Sequence, residues 1–202
     1  MPTARRHGGR VGRSRGLTLV EVLMVVLVMS VVAAMLIPQV GTDNTDKLLG
    51  AAEVLAAELE NARGLAIAND THYRITFDPA GNRLYLEHSG ANSAFDPLPP
   101  SPFRRYDDPA TRQTTVLSEL PFPAPFVVLQ TVVSAPSANP TTTIEFSPLG
   151  NTMSRQETFI WLGCGSGSTA RYLSVKVAPA TGLVEINSPL AALPTGTGLV
   201  TN

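Results

Sequence analysis

A single carboxylate stands inside the longest apolar stretch of the chain. Residues 17–37 read LTLVEVLMVVLVMSVVAAMLI, and Glu21 is the one charged residue among them. A carboxylate in lipid costs roughly 3 kcal/mol or more unless it is paired, neutralised or close to the interface. The residues leave two interpretations open. Glu21 is either an interfacial residue of an ordinary signal anchor or a group that a partner charge neutralises.

Two histidines invite comparison with a metal site. His72 and His88 flank a predicted hairpin and are expected to lie near each other across its strands. A metal ion needs three or four ligands of suitable type. The nearby acids, Asp78 and Glu87, are explained better by a turn and by surface exposure. We therefore expect no metal site here, and no cofactor.

The segment GCGSGS, residues 163–168, has the alternating glycines of a phosphate-binding loop. Such a loop requires a following helix whose N-terminus supplies aligned N–H groups, whereas this segment lies between two predicted strands. It is therefore predicted to be a hairpin loop. Cys164, the only cysteine, is predicted to be a loop thiol that is available for pairing with another molecule. Phe159 and Trp161 are predicted to pack into the sheet.

Composition and charge exclude some classes of protein and indicate a membrane-anchored one. Of 202 residues, 44% are hydrophobic and 15% charged, which excludes a charge-rich disordered protein and suits one domain with appendages. The chain after residue 17 carries ten basic and sixteen acidic side chains. A basic leader on an acidic body indicates a membrane topology signal with a cytoplasmic N-terminus. The leader holds five basic residues and no acid: Arg5, Arg6, Arg10, Arg13 and Arg15.

The elements follow from hydrophobic periodicity. As a helix, residues 17–37 would span about 31 Å, which matches a bilayer core of about 30 Å. Pro38 then predicts a kink, followed by an extramembrane amphipathic helix within residues 38–69, its regular pattern running from Lys47 to Asn69. Glu53, Glu58, Glu60 and Arg63 are predicted to lie on its other faces. The predicted core stripe is Leu48, Ala52, Leu55, Leu59, Ala62 and Ala66.

Residues 70–188 alternate with the period of strands and predict a head domain. HYRITF (72–77), the turn DPAGN and RLYLEH (83–88) predict a β-hairpin, while 89–112 is a proline-rich loop of mixed charge. The predicted class is α+β: a long N-terminal helix, membrane-spanning in its first half, packed on a head of antiparallel β-sheets. A flexible tail is predicted for 189–202. Further strands are predicted at 115–120, 126–133, 143–146, 158–162, 170–177 and 183–186.

Two parts of the sequence resemble one group of bacterial proteins. The stretch RSRGLTLVEVLMVVLVMSVVAAMLIP resembles the class III signal of type IV pilins and type II secretion pseudopilins. The segments IEFSPLGN, TFIWLG and ARYLSVKVAPATGLVEI resemble the end of GspH/FimT-type minor pseudopilins. One departure is Leu17, which stands where phenylalanine is common.

The resemblance implies a role for each of four residues. A prepilin peptidase would cleave after Gly16, which removes residues 1–16 as a leader peptide. The new N-terminus, Leu17, would be N-methylated. Glu21 would pair with the terminal amine of a neighbouring subunit and set the register of assembly, and Pro38 would kink the helix.

The implied function is that of a minor pseudopilin. It would be a structural subunit of a type II secretion pseudopilus or a type IV pilus-like filament, without enzymatic activity or a small-molecule substrate. Its partners would be prepilin peptidase, other pilin or pseudopilin subunits and the inner membrane, which it would cross once, with a periplasmic head.

The alternative function is that of a FimT-like minor pilin for DNA uptake. Such pilins use a basic GRxR-like motif near the C-terminus. The corresponding residues 182–185, Gly-Leu-Val-Glu, contain no arginine, and Arg171 and Lys176 are two isolated cations. The charge that phosphates require is therefore missing, and nucleic acid is not an expected partner.

Overall fold

The computed structural model describes residues 18–36, 43–101, 105–120 and 126–194. The chain divides into two compact units, residues 1–41 and 42–202. The first unit contains helix α1, Leu19–Leu36. The second contains helix α2, Asn44–Ala68, and all the strands.

Helix α2 carries the core of the second unit. All six residues of the predicted stripe are buried, with exposures of 0–1%. The helix begins three residues before the predicted Lys47, and the backbone N–H of Asn69 bonds to the carbonyl of Leu65 at its end. The prediction for Glu58 is wrong: this residue lies on the buried face with 2% exposure, next to Leu59 in the core stripe.

The strands form two antiparallel sheets. One has the order β3-β2-β1-β6 and the other β5-β4-β7-β8-β9. The buried face of α2 and the inner faces of both sheets share one hydrophobic core. The predicted α+β class with antiparallel sheets is thus confirmed. The strands are β1 Tyr73–Asp78, β2 Arg83–His88, β3 Arg112–Val116, β4 Val128–Ala135, β5 Asn139–Pro140, β6 Thr143–Phe146, β7 Glu157–Cys164, β8 Arg171–Val177 and β9 Val184–Ile186.

The predicted hairpin is β1 and β2, paired from Tyr73 opposite His88 to Asp78 opposite Arg83. Asp78 has the predicted turn role. Its Oδ1 accepts from the backbone N–H of Gly81 at 3.0 Å, and its Oδ2 accepts from Arg83 Nε at 2.9 Å. These bonds lower the pKa of Asp78, so the carboxylate stays ionised and holds the turn.

Three predictions near loops need correction. The strand predicted at 115–120 is β3, Arg112–Val116, followed by a 3-10 turn at Leu117–Glu119, so Arg112 belongs to a strand instead of a loop. Cys164 is not a loop thiol but the buried last residue of β7. Leu190, in the predicted tail, exchanges two backbone hydrogen bonds with Tyr172 of β8.

Candidate functional site

The first turn of α1 positions Glu21. The backbone N–H of Glu21 bonds to the Thr18 carbonyl at 3.0 Å and approaches Thr18 Oγ1 at 3.3 Å. Thr18 thereby acts as the cap of the helix, because its oxygens accept from N–H groups that have no partner within the helix. The Glu21 side chain is exposed in this turn.

The surface of α1 around Glu21 is apolar on all sides. Leu19 is 79% exposed, Leu23 60% and Met29 70%, and every described side chain from 18 to 33 is exposed. Ser30, the polar residue in the middle, satisfies its hydroxyl internally by donating to the Leu27 carbonyl at 2.8 Å. A helix that is apolar all round belongs in a larger apolar environment. The exposed carboxylate of Glu21 is the exception to that surface.

The other residues with predicted roles at the N-terminus, Gly16, Leu17 and Pro38, lie outside the described residues, as does the predicted kink. Within 18–36 and the other described ranges, no helix meets the length and apolarity needed to cross a membrane. The predicted span of 17–37 begins and ends at residues outside those ranges.

A second polar cluster forms around His88, whose side chain is 1% exposed. Its Nδ1 lies 2.7 Å from Asp96 Oδ1 and its Nε2 lies 2.9 Å from Thr71 Oγ1. Gly90 lies against Thr71, and a Cβ at that glycine would stand 2.0 Å from Thr71 Oγ1. Thr71 itself is buried, with 7% exposure. The cluster holds the loop after β2 onto the hairpin.

These contacts bear on the idea of a histidine metal site. Both ring nitrogens of His88 are engaged in hydrogen bonds, so coordination of a metal would break one of them. His72 lies beside the hairpin, where its carbonyl accepts from the N–H of Ser89. Across the ranges that the structure covers, no three His, Cys, Asp or Glu side chains are grouped closely enough to hold a metal ion.

Glu58 is a buried ionisable residue that the periodicity analysis misplaced. Gln113 Nε2 of β3 donates to its Oε2 at 2.6 Å. Burial raises the pKa of Glu58 to about 7, and hydrogen bonding by Thr115 and Gln113 opposes that rise. Thr115 lowers the pKa of Glu58 more than Gln113 does, although its hydroxyl lies outside standard hydrogen-bond geometry to any described group. The sequence alone gave no signal for this burial, because the hydrogen-bond partner Gln113 belongs to a strand 55 residues further along the chain.

The two cations considered for DNA binding are engaged locally. Lys176 Nζ lies 2.6 Å from Glu185 Oε2 and 3.9 Å from Glu157 Oε1. The hydrogen bond to Glu185 raises the pKa of Lys176, so the lysine is charged but neutralised by its neighbours. Arg171 donates to the carbonyls of Ser168 and Ala170.

Cys164 is buried at the end of β7, with 4% exposure. Its Sγ lies 3.6 Å from Asn44 Oδ1 at the start of α2, and burial raises the pKa of the thiol. A thiolate is the reactive form, so both effects oppose the predicted pairing with another molecule. Trp161 is buried in the same strand, as predicted.

One comparison concerns the segment that contains α1. The family described as "Prokaryotic N-terminal methylation motif" matches residues 12–37. The chain carries this methylation motif. The predicted resemblance to type IV pilin-like proteins is therefore confirmed at the N-terminus. Gly16, Leu17 and Glu21 lie inside the methylation motif, and Pro38 follows its last residue.

Two solved structures are similar to about 70% of the chain. The type IV minor pilin FimU of Pseudomonas aeruginosa is 18% identical over 70% of this chain and 89% of that chain, with a TM-score of 0.42. The minor pseudopilin EpsH from the Type 2 Secretion System of Vibrio cholerae is 12% identical over 71% of this chain and 98% of that chain, with a TM-score of 0.47. No curated protein matches the chain.

Proposed function

We propose that this chain is a minor pilin or pseudopilin, a structural subunit of a filament that assembles from the inner membrane. The observation that carries the proposal is the methylation motif at residues 12–37, which coincides with a helix of exposed apolar side chains and one carboxylate. A helix with this surface is stable when other apolar groups surround it, either lipid tails or the same helix of neighbouring subunits.

In this proposal, processing creates the partner of Glu21. Cleavage after Gly16 exposes a positive amine on Leu17, four residues before the carboxylate. Opposite charges enter an apolar environment at lower cost together than separately, so the amine of one subunit would pair with Glu21 of the next. Because this pairing occurs at one axial offset, Glu21 would define the register between subunits.

Before assembly, residues 17–37 would anchor the chain in the inner membrane. The five leader arginines favour a cytoplasmic N-terminus, which would place the second unit in the periplasm. Pro38 would kink the chain between the anchor and α2. The C-terminal resemblance to GspH/FimT-type proteins is consistent with a minor subunit of either a secretion pseudopilus or a type IV pilus-like filament. Prepilin peptidase, the inner membrane and other subunits would be the partners.

Processing can be tested by the mass of the mature chain. We expect the wild-type chain, expressed with a prepilin peptidase, to begin at Leu17 and to carry one added methyl group. Gly16→Val should leave the leader attached, because a branched side chain would occupy the cleavage position. Gly12→Val, a matched change inside the leader, should be processed normally. Wild-type chain that still begins at Met1, or normal trimming of the Gly16 variant, would contradict the proposal.

A further inference from the structure

A cleft of about 180 Å³ lies beside α2 in the second unit, between that helix and the proline-rich segment after β2. Its polar residues are Glu58 and Gln113, both buried, Ser101 in the proline-rich segment, and Asn61 at the exposed rim. The remaining lining is mostly apolar: Ala57, Leu65, Leu86, Leu98, Pro99 and Pro100. The cleft therefore has apolar walls and one carboxylate.

That carboxylate has no cation of its own in the described structure. The ion pairs found among the described residues use other acids, and Glu58 receives a hydrogen bond from the neutral amide of Gln113. Burying a carboxylate without a counter-ion is costly. A leucine or alanine at this position would continue the apolar stripe of α2. A carboxylate that faces a cleft instead is a candidate binding group.

We propose that this cleft binds a lysine side chain of a partner protein, with Glu58 as the counter-ion of its ammonium group. The four methylene groups of lysine fit a channel with apolar walls, and the ammonium would supply the charge that Glu58 lacks. Asn61 at the rim offers a further oxygen for a hydrogen bond.

Other ligand classes suit the cleft less well. A metal ion needs more ligands than one carboxylate. An anion would be repelled, and a neutral apolar group would leave the carboxylate unpaired. The acidic excess of the chain after residue 17, sixteen acids against ten bases, favours the approach of a basic partner surface.

The pKa of Glu58 makes the proposed binding dependent on pH. An ammonium group prefers the ionised carboxylate, whose population rises as the pH passes about 7. Binding should therefore be about tenfold tighter at pH 8 than at pH 6, and the bound amine should lower the pKa of Glu58 by the same linkage.

The test uses n-butylamine, which has the stem and charge of the lysine side chain. Full-length chain with ¹³C-labelled glutamate carboxyls, in detergent micelles, is titrated at pH 6 and pH 8 while the Glu58 resonance is observed. We expect saturable shifts of that resonance, tighter binding at pH 8 and a lower titration midpoint in the presence of amine. n-Butanol, which has the same stem without the charge, should give no saturable shift.

Three variants complete the test, with saturable shifts of the surrounding backbone amides as the readout. Glu58→Gln should abolish amine binding, whereas Glu53→Gln, which changes an exposed carboxylate on the same helix, should bind as the wild type does. Ala57→Phe, an exposed substitution at the rim, should block the cleft and leave the Glu58 carboxyl in place. Equal binding of butanol, binding that is the same at both pH values, or binding retained by Glu58→Gln or Ala57→Phe would overturn the proposal.

Discussion

Replacing Glu58 by glutamine should remove a large part of the pH dependence of unfolding between pH 5 and pH 8. Burial raises the pKa of Glu58 from 4.5 to about 7 in the folded chain. Between these values the folded state binds more protons than the unfolded state, so the stability is greatest at the acidic end. It falls as the pH rises from 4.5 to about 7, and is nearly constant above that. Glutamine cannot ionise, so its contribution stays constant.

The expected change in the free energy of unfolding follows from the change in the pKa of Glu58. A pKa difference of about 2.5 units corresponds to about 3 kcal/mol, since one unit is about 1.4 kcal/mol. Over the range from pH 5 to pH 8, most of this difference should appear. The free energy of unfolding of Glu58→Gln, relative to wild type, should therefore increase by about 2 to 3 kcal/mol between these two pH values.

Urea unfolding of the full chain in detergent micelles measures this difference. Trp161 is the only tryptophan and is buried in β7, so its fluorescence reports the unfolding of the second unit. Glu53→Gln is the matched control and should keep the pH dependence of the wild type, because Glu53 is exposed. A difference between wild type and Glu58→Gln that stays constant from pH 5 to pH 8, or that changes in the opposite direction, would refute the reasoning.

Two further predictions concern the packing of the second unit. Leu59→Ala, in the fully buried stripe, should cost about 2 to 5 kcal/mol in urea unfolding, whereas Leu49→Ala, at a residue 42% exposed, should cost much less. Similar losses for both would contradict the assigned core face. Gly182→Ala should destabilise the unit by more than about 2 kcal/mol, because φ is +64° and the new Cβ would lie 2.0 Å from the Gly150 carbonyl oxygen. Gly167→Ala has a similar φ of +58° but open space around it, and should cost only about 1 kcal/mol by the same measurement; equal costs would show that the close contact is unimportant.

The parts of the fold that could be predicted from sequence are those with a strong apolar period. The hairpin of β1 and β2 was predicted to within one residue, because its strands alternate and a Pro/Gly-containing turn joins them. The stripe of α2 was predicted because its members recur at intervals of three and four residues.

Most of the predictions that were wrong concern polar residues on buried faces. The third strand was predicted to begin three residues too late. Gln113 and Thr115 are buried beneath α2 but are polar, so they give no apolar signal. Glu58 was assigned to a solvent face for the same reason. Tertiary hydrogen bonds decide these positions, and a periodicity analysis of one sequence does not contain them. Cys164 was misassigned because the glycines after it suggested that the loop began earlier.

The candidate site at the N-terminus was predicted from a different kind of signal. Gly16, Leu17 and Glu21 form a local motif whose spacing along the chain is sufficient for recognition, and the methylation motif covers all three. Their functional roles remain predictions. The cleft at Glu58 joins residues from a helix, two strands and a loop that are distant in sequence, and it could be found only after the fold was known.

The most direct test of the proposed assembly is the incorporation of Glu21→Gln into sheared filaments in the host cell. Wild type, Glu21→Gln and the exposed control Glu60→Gln are expressed at equal levels, and the fraction of each mature subunit in the filament is measured. We expect Glu21→Gln to be cleaved after Gly16 and held in the membrane but largely absent from filaments, whereas Glu60→Gln should be incorporated normally. Incorporation of Glu21→Gln at the wild-type level would contradict the role of this carboxylate in subunit register.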